Sequence, residues 1–205
     1  VLVRTSQLNL LEQAAIPYEM LHPDHQSLRP QTLGARGLSY HNPDGLLYSL
    51  KSVAQQYPEI ARYVEWGMSA QGRPLGGLLL SDQPALREDD EPSLRLLGGH
   101  HGDEYSSVEV ALNIAWTLAE SYSSGDPIAL DLLDRNEVWV APLVNPDGHA
   151  AFTRRNSQNV DLNRNYSYLW SSAGASGDAP FDQPETAAVR ALSTTRVFHH
   201  SLSIH

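Results

Sequence analysis

His101 and Glu104 stand three residues apart in the segment His101-Gly-Asp-Glu104, just after the apolar run Leu94 to Leu97 and the pair Gly98-Gly99. An imidazole and a carboxylate so spaced on a turn entering a helix can both reach one metal ion. A further imidazole closes the chain at His205. There is no cysteine, so only nitrogen and oxygen donors are on offer. A catalytic zinc site takes three such protein ligands and leaves the fourth position to water, and His101, Glu104 and His205 supply that set. His100 with Asp103 offers the same spacing one residue earlier. The downstream motifs favour His101 with Glu104, and His100 is read as a neighbour facing the sheet or the helix.

Asp161-Leu-Asn-Arg-Asn165 is dense in polar groups for a loop. A planar Arg164 beside Asn163 can grip a carboxylate through paired, charge-assisted hydrogen bonds. Asp161 can instead accept the second ring N–H of a liganding histidine, fixing its tautomer and orientation. Arg154 is a candidate to stabilise an oxyanion, an effect typically worth ~3 to 4 kcal/mol per lost donor. Asn145-Pro-Asp-Gly148 reads primarily as a turn that shapes the edge of the site.

These groups need elements to position them. Gly45 to Tyr57 carries Leu46, Leu50, Val53 and Tyr57 at helical spacing, and Pro58 stops it. Tyr63 to Trp66 and Leu75 to Leu80 read as two strands joined through Gly67, Gly72 and Pro74. Leu94 to Leu97 is a strand feeding the His101 turn and a helix over Ser106 to Tyr122. After a loop at Ser123 to Asp126 and a helical piece near Ile128 to Leu133, Val138 to Val144 is the next strand. Glu185 to Thr195 follows Pro184 as a helix, and Val197 to Ile204 is the last strand. On that strand His199, Ser201, Ser203 and His205 share a face; His199 and His200 are read as packing or surface residues. Alternating strands and helices imply an α/β domain with a mixed, largely parallel central sheet flanked by helices. Open α/β sheets place ligands beyond the carboxyl ends of their strands, where His101, Asn145 and His205 all fall.

The chain has 205 residues, 41% of them hydrophobic, and a formal charge of −10. One core is expected. So acidic a chain is a poor partner for nucleic acid, and anion recognition must be local, at Arg154, Arg155 and Arg164. No run reaches the ~18 to 20 apolar residues that span a bilayer, so no membrane span is expected. Residues 1–40 read as an N-terminal lead-in, expected as the remnant of a pro-segment: an amphipathic stretch around Leu8 to Ala15, an extended run Tyr18 to Leu21, then a loop rich in Pro, His and Arg. Because the first residue is Val1, a secreted or periplasmic protein is expected ahead of a cytoplasmic one.

In order, Gly67-x-Ser69-x-x-Gly72-Arg73, His101-Gly-Asp-Glu104, Asn145-Pro-Asp-Gly148, Arg154-Arg-Asn156, Asp161-Leu-Asn-Arg-Asn165 and Ser203-Ile-His205 resemble the M14 family of zinc metallocarboxypeptidases, carboxypeptidase A-like, from about Tyr40 to the end. The resemblance implies Zn2+ on His101, Glu104 and His205, and a zinc-activated water that hydrolyses the C-terminal peptide bond. It implies that Asn163 and Arg164 hold the free C-terminal carboxylate of a peptide or peptide-like substrate while Arg154 polarises the carbonyl. It also implies an eight-stranded mixed sheet, a capping tyrosine and a general-base glutamate, the last two beyond the third ligand. The chain's end at His205 therefore makes 41–205 an expected catalytic domain incomplete at its C-terminus, with a further segment completing the site. Two alternatives stand beside this: a cell-wall peptide amidase or N-acyl amino-acid hydrolase, and a non-catalytic zinc- and carboxylate-binding module.

Overall fold

In the computed structural model the structure describes residues 40–205 and the single helical position Gln13. The rest of the lead-in, including its amphipathic stretch and extended run, lies outside the described residues.

Helix α1, Pro43–Gln56, starts where the Asn42 side chain accepts from Gly45 N–H and Pro43 occupies the first turn, where a missing N–H costs nothing. It buries Leu46, Leu50 and Val53. Strands β1, Ala61–Met68, and β2, Pro74–Leu80, form an antiparallel pair. Strand β3, Ser93–Leu97, leads through Gly98-Gly99 to helix α2, Tyr105–Ser123. Helix α3 is Pro127–Leu133, capped by Asp126, and strand β4 is Glu137–Ala141. Helix α4, Pro146–Ala151, a 3-10 turn at Leu162–Arg164, helix α5, Pro184–Thr195, and strand β5, Phe198–Ser203, complete the order.

The five strands are ordered β1-β2-β4-β3-β5. β2 pairs antiparallel with β1 and β4, whereas β3 pairs parallel with both β4 and β5. The sheet is thus mixed, with its parallel half, β4-β3-β5, ending at the His101 turn. Among the described residues it holds five of the eight strands that the family resemblance implies.

Helices cover both faces. Leu46, Leu50 and Val53 of α1 and Val108, Ala111 and Ala115 of α2 pack on Leu78, Leu80, Leu96, Val138 and Val140. On the other face Val189 meets Leu97 and Ala141, and Leu192 meets Leu79 and Trp139. Every residue of β4 is buried, which explains its unbroken apolar run. Glu137 is the exception in kind: no part of it is exposed, and its Oε2 takes Ser93 Oγ, Trp139 Nε1 and Arg196.

The segment expected as a turn, Asn145-Pro-Asp-Gly148, is the start of α4. Asn145 Oδ1 accepts from Gly148 N–H at 2.9 Å, and Pro146 sits in the first turn. The residues that favour turns are the same ones that begin helices. No helix among the described residues is long and apolar enough to cross a membrane.

Candidate metal centre

The parallel strands β3 and β5 are neighbours, with Leu97 in register with Ser203. Their carboxyl ends therefore release His101 and His205 side by side. The His101 turn is locked from beneath. Gly99 adopts φ +59, a conformation that favours glycine, and a Cβ on Gly102 would meet the Gly148 carbonyl carbon at 2.1 Å and Thr153 O at 2.5 Å. Ser107 Oγ accepts from Gly99 N–H and donates to Glu104 O at 2.7 Å, tying the turn to α2. Glu104 occupies the position before α2, yet its carboxylate makes no capping bond. That carboxylate is free to face the histidines.

His101 Nδ1 lies 2.9 Å from Glu104 Oε1, His205 Nδ1 lies 2.9 Å from Glu104 Oε2, and the two Nδ1 atoms are 3.2 Å apart. One donor atom from each residue falls within 4.8 Å of the others. Behind His101, Asp161 Oδ1 stands 3.1 Å from Nε2 and accepts a hydrogen bond from it. The Nδ1 lone pair is then left facing a carboxylate oxygen and a second imidazole nitrogen. Such a group of lone pairs repels itself unless a cation lies among them, and two imidazoles with one carboxylate are a donor set that zinc takes. The residues fit a zinc ion.

The other anticipated groups stand around this cluster. Arg154 reaches over it, NH1 3.6 Å from Glu104 Oε1 and Nε 3.4 Å from Asp161 Oδ2. Asp161 caps the 3-10 turn by accepting from Asn163 N–H at 3.0 Å, which sets Asn163 and Arg164 on the turn. Asn163 Nδ2 lies 3.4 Å from His205 Nε2. The Arg164 guanidinium is exposed, donates to Asn163 O, and has no acidic partner within 4 Å among the described residues. Burial pushes the Asp161 carboxyl up, but the hydrogen bond from His101, with Arg154 and Asn163 N–H, holds it below the ordinary carboxylate value.

Two neighbours, Tyr166 and His149, lacked a clear signal in the sequence. His100 is buried, its Nε2 2.8 Å from the Tyr166 hydroxyl and its Nδ1 3.3 Å from Ser203 Oγ. Burial, with His205, His101 and Arg95 nearby, pushes it down to about 3, so it is a neutral ring that packs beside His205. Asp103, the other half of the alternative register, is absent from the cluster. His149 sits below the turn, with ring nitrogens 3.1 Å from Gly102 O and 2.8 Å from His41 O. Tyr166 directly follows Asn165, so its place in the sequence was the available clue; His149 had none.

With this geometry in view, the comparisons with known proteins define the class. The zinc carboxypeptidase (peptidase M14) family matches residues 46–205, and the chain belongs to that family. It is 30% identical over 190 residues to carboxypeptidase D of Anas platyrhynchos, covering 88% of this chain and 13% of that protein. To carboxypeptidase M of Mus musculus it is 31% identical over 182 residues, covering 84% of this chain and 40% of that one. The chain thus spans less than half the length of these relatives. The crystal structure of carboxypeptidase A from Helicoverpa armigera shares the fold, with a TM-score of 0.76 at 21% identity over 97% of this chain and 57% of that one.

Proposed function

We propose that this chain carries the zinc-binding and carboxylate-binding half of a metallocarboxypeptidase that releases the C-terminal residue of a peptide. The observation that supports it most is the meeting of His101 Nδ1, His205 Nδ1 and the Glu104 carboxylate within 4.8 Å. Zinc held there would supply Lewis acidity and a water of lowered pKa.

The chain's own residues take the remaining parts. Asp161 holds His101 as the Nε2–H tautomer. When His205 presents a lone pair at Nδ1, its Nε2 carries the proton, and the Asn163 carboxamide, whose Nδ2 faces Nε2 in the structure, flips to turn Oδ1 toward the ring. Its NH2 group then faces outward beside Arg164. Together they offer a substrate carboxylate two kinds of donor, a fixed amide and a planar guanidinium. Arg154 supplies positive charge to a carbonyl oxygen that becomes anionic. The lead-in, 1–40, has no part in this reading, and 41–205 is the catalytic portion.

The test uses peptides with a free or an amidated C-terminus. Chelation should abolish release of the terminal residue and added zinc restore it. Arg164→Ala should lower kcat/KM for the free acid by roughly 10- to 100-fold, the scale of a lost charge-assisted bond. Activity that persists without metal, or equal binding of acid and amide, would overturn the proposal.

A further inference from the structure

Helix α4 lies along the metal turn and grips its backbone at successive peptide groups. Asn145 N–H donates to Gly99 O at 2.9 Å, and the Asn145 carboxamide donates to His100 O at 3.2 Å. Gly102 N–H donates in turn to Arg154 O, just past the helix, at 3.2 Å. The peptide joining Gly102 to Asp103 lies between the two ligands of the turn. Its carbonyl is met by one group among the described residues, His149 Nδ1 at 3.1 Å. The approach is close because glycines face each other there: a Cβ on Gly102 would stand 2.3 Å from His149 N, and one on Gly148 2.5 Å from Arg155 O.

The His149 ring is itself held from several sides. It is buried in the last turn of α4, and the Tyr105 ring at the start of α2 packs on it with centroids 4.6 Å apart. Its Nε2 lies 2.8 Å from His41 O. His41 is anchored to α2, since Glu109 accepts from its backbone N–H at 2.6 Å and stands 2.9 Å from its Nδ1. A ring so fixed can hold a carbonyl in place rather than follow it. A neutral imidazole has one N–H for the two carbonyls, and burial, the largest influence on this ring, pushes its pKa below the ordinary value. Gly102 is buried and its carbonyl has no second donor among the described residues, whereas His41 lies partly exposed, where water is at hand. A proton on Nδ1 therefore serves the group that can least go without it.

We propose that His149 is a positioning residue of the metal centre: through Nδ1–H it holds the Gly102 carbonyl and so fixes the span from His101 to Glu104 before zinc arrives. The proposal rests on the reading of His101, Glu104 and His205 as zinc ligands. Two ligands three residues apart reach one ion only while the backbone between them keeps its course, and a turn made rigid beforehand loses less freedom on binding. Asp161 orients the ring of one ligand. His149 orients the backbone that carries two.

Two substitutions separate this role from packing alone. In His149→Asn the amide nitrogen takes roughly the place of Nδ1, facing Gly102 O; in His149→Gln it takes roughly that of Nε2, facing His41 O. Measured by competition against a chromogenic chelator, His149→Asn should bind zinc nearly as the unaltered protein does, while His149→Gln and His149→Phe should bind it ~10-fold or more weakly. In the metal-free unaltered chain, nitrogen NMR of the ring should show a protonated Nδ1. The amide hydrogens of Gly102 and Glu104 should exchange ~10-fold faster in His149→Gln than in His149→Asn. An Nδ1 without its proton, or equal zinc affinity in the Asn and Gln variants, would overturn the proposal. The ring measurement needs no substitution, so it decides the matter where a variant fails to fold. It also needs no zinc: an unaltered chain that takes up no zinc, yet shows the protonated Nδ1 and the exchange difference, overturns the zinc reading alone and leaves His149 as the holder of the turn.

Discussion

Asp161 shows how much one carboxylate can be asked to hold. Its Oδ1 takes both His101 Nε2–H and Asn163 N–H, and its Oδ2 faces Arg154. It therefore links the proposed metal ligand, the carboxylate grip and the oxyanion charge. Asp161→Asn keeps a capping side chain, since asparagine caps as well as aspartate, but removes the negative charge behind His101. The expected result is ~10- to 100-fold weaker zinc binding with little change in fold, measured by competition against a chromogenic chelator. Unaltered zinc affinity would count against its role behind His101. At this scale much was legible. His101, Glu104, Asp161, Asn163 and Arg164 lie in two short motifs, where spacing along the chain already constrains spacing in space. Glu137 with Arg196, or His149 beneath Gly102, could not be read in the same way. Each pair joins residues 59 and 47 positions apart that carry no local pattern.

The elements were legible where periodicity runs long enough. The helix expected over Ser106 to Tyr122 is α2, Tyr105–Ser123, and the strand expected over Leu75 to Leu80 is β2, Pro74–Leu80. The strand expected to reach Val144 stops at Ala141, because the chain leaves the sheet there to start α4. What periodicity does not show is how a short element is pinned. The turn between β1 and β2 is fastened to α4 by Asp147, which accepts from Ser69 Oγ at 2.8 Å and Gln71 N–H at 2.9 Å, pairs with Arg73, and takes Ser157 Oγ at 3.0 Å. Burial pushes the Asp147 carboxyl up, but these hydrogen bonds outweigh it and bring it below the ordinary 3.8. A depressed carboxyl stabilises the fold above its unfolded value and loses that contribution as pH falls through the folded one. Stability should therefore drop below about pH 4. Asp147→Asn should lower stability at pH 7 by about 2 to 3 kcal/mol and flatten that acid limb, read by urea unfolding across pH.

Across the whole molecule, fold class was the most legible property, because alternating strands and helices leave few ways to build a layered domain. The strand order was not, since β2 and β4 pair across intervening β3, and nothing local announces that crossing. The centre joins the interior of the described domain to its fifth strand: His101 follows β3, and His205 follows β5. Zinc binding only the assembled site should stabilise the fold by about 4 kcal/mol at a thousandfold excess over Kd. His205→Ala should erase most of that increment, as shown by unfolding curves with and without zinc. The pairing of β3 with β5 also has a kinetic meaning. Contacts between residues a hundred positions apart close a long loop and form late relative to local ones. Acquisition of metal during refolding is then a clock for the docking of β5: the ion's arrival marks the moment at which β5 meets β3.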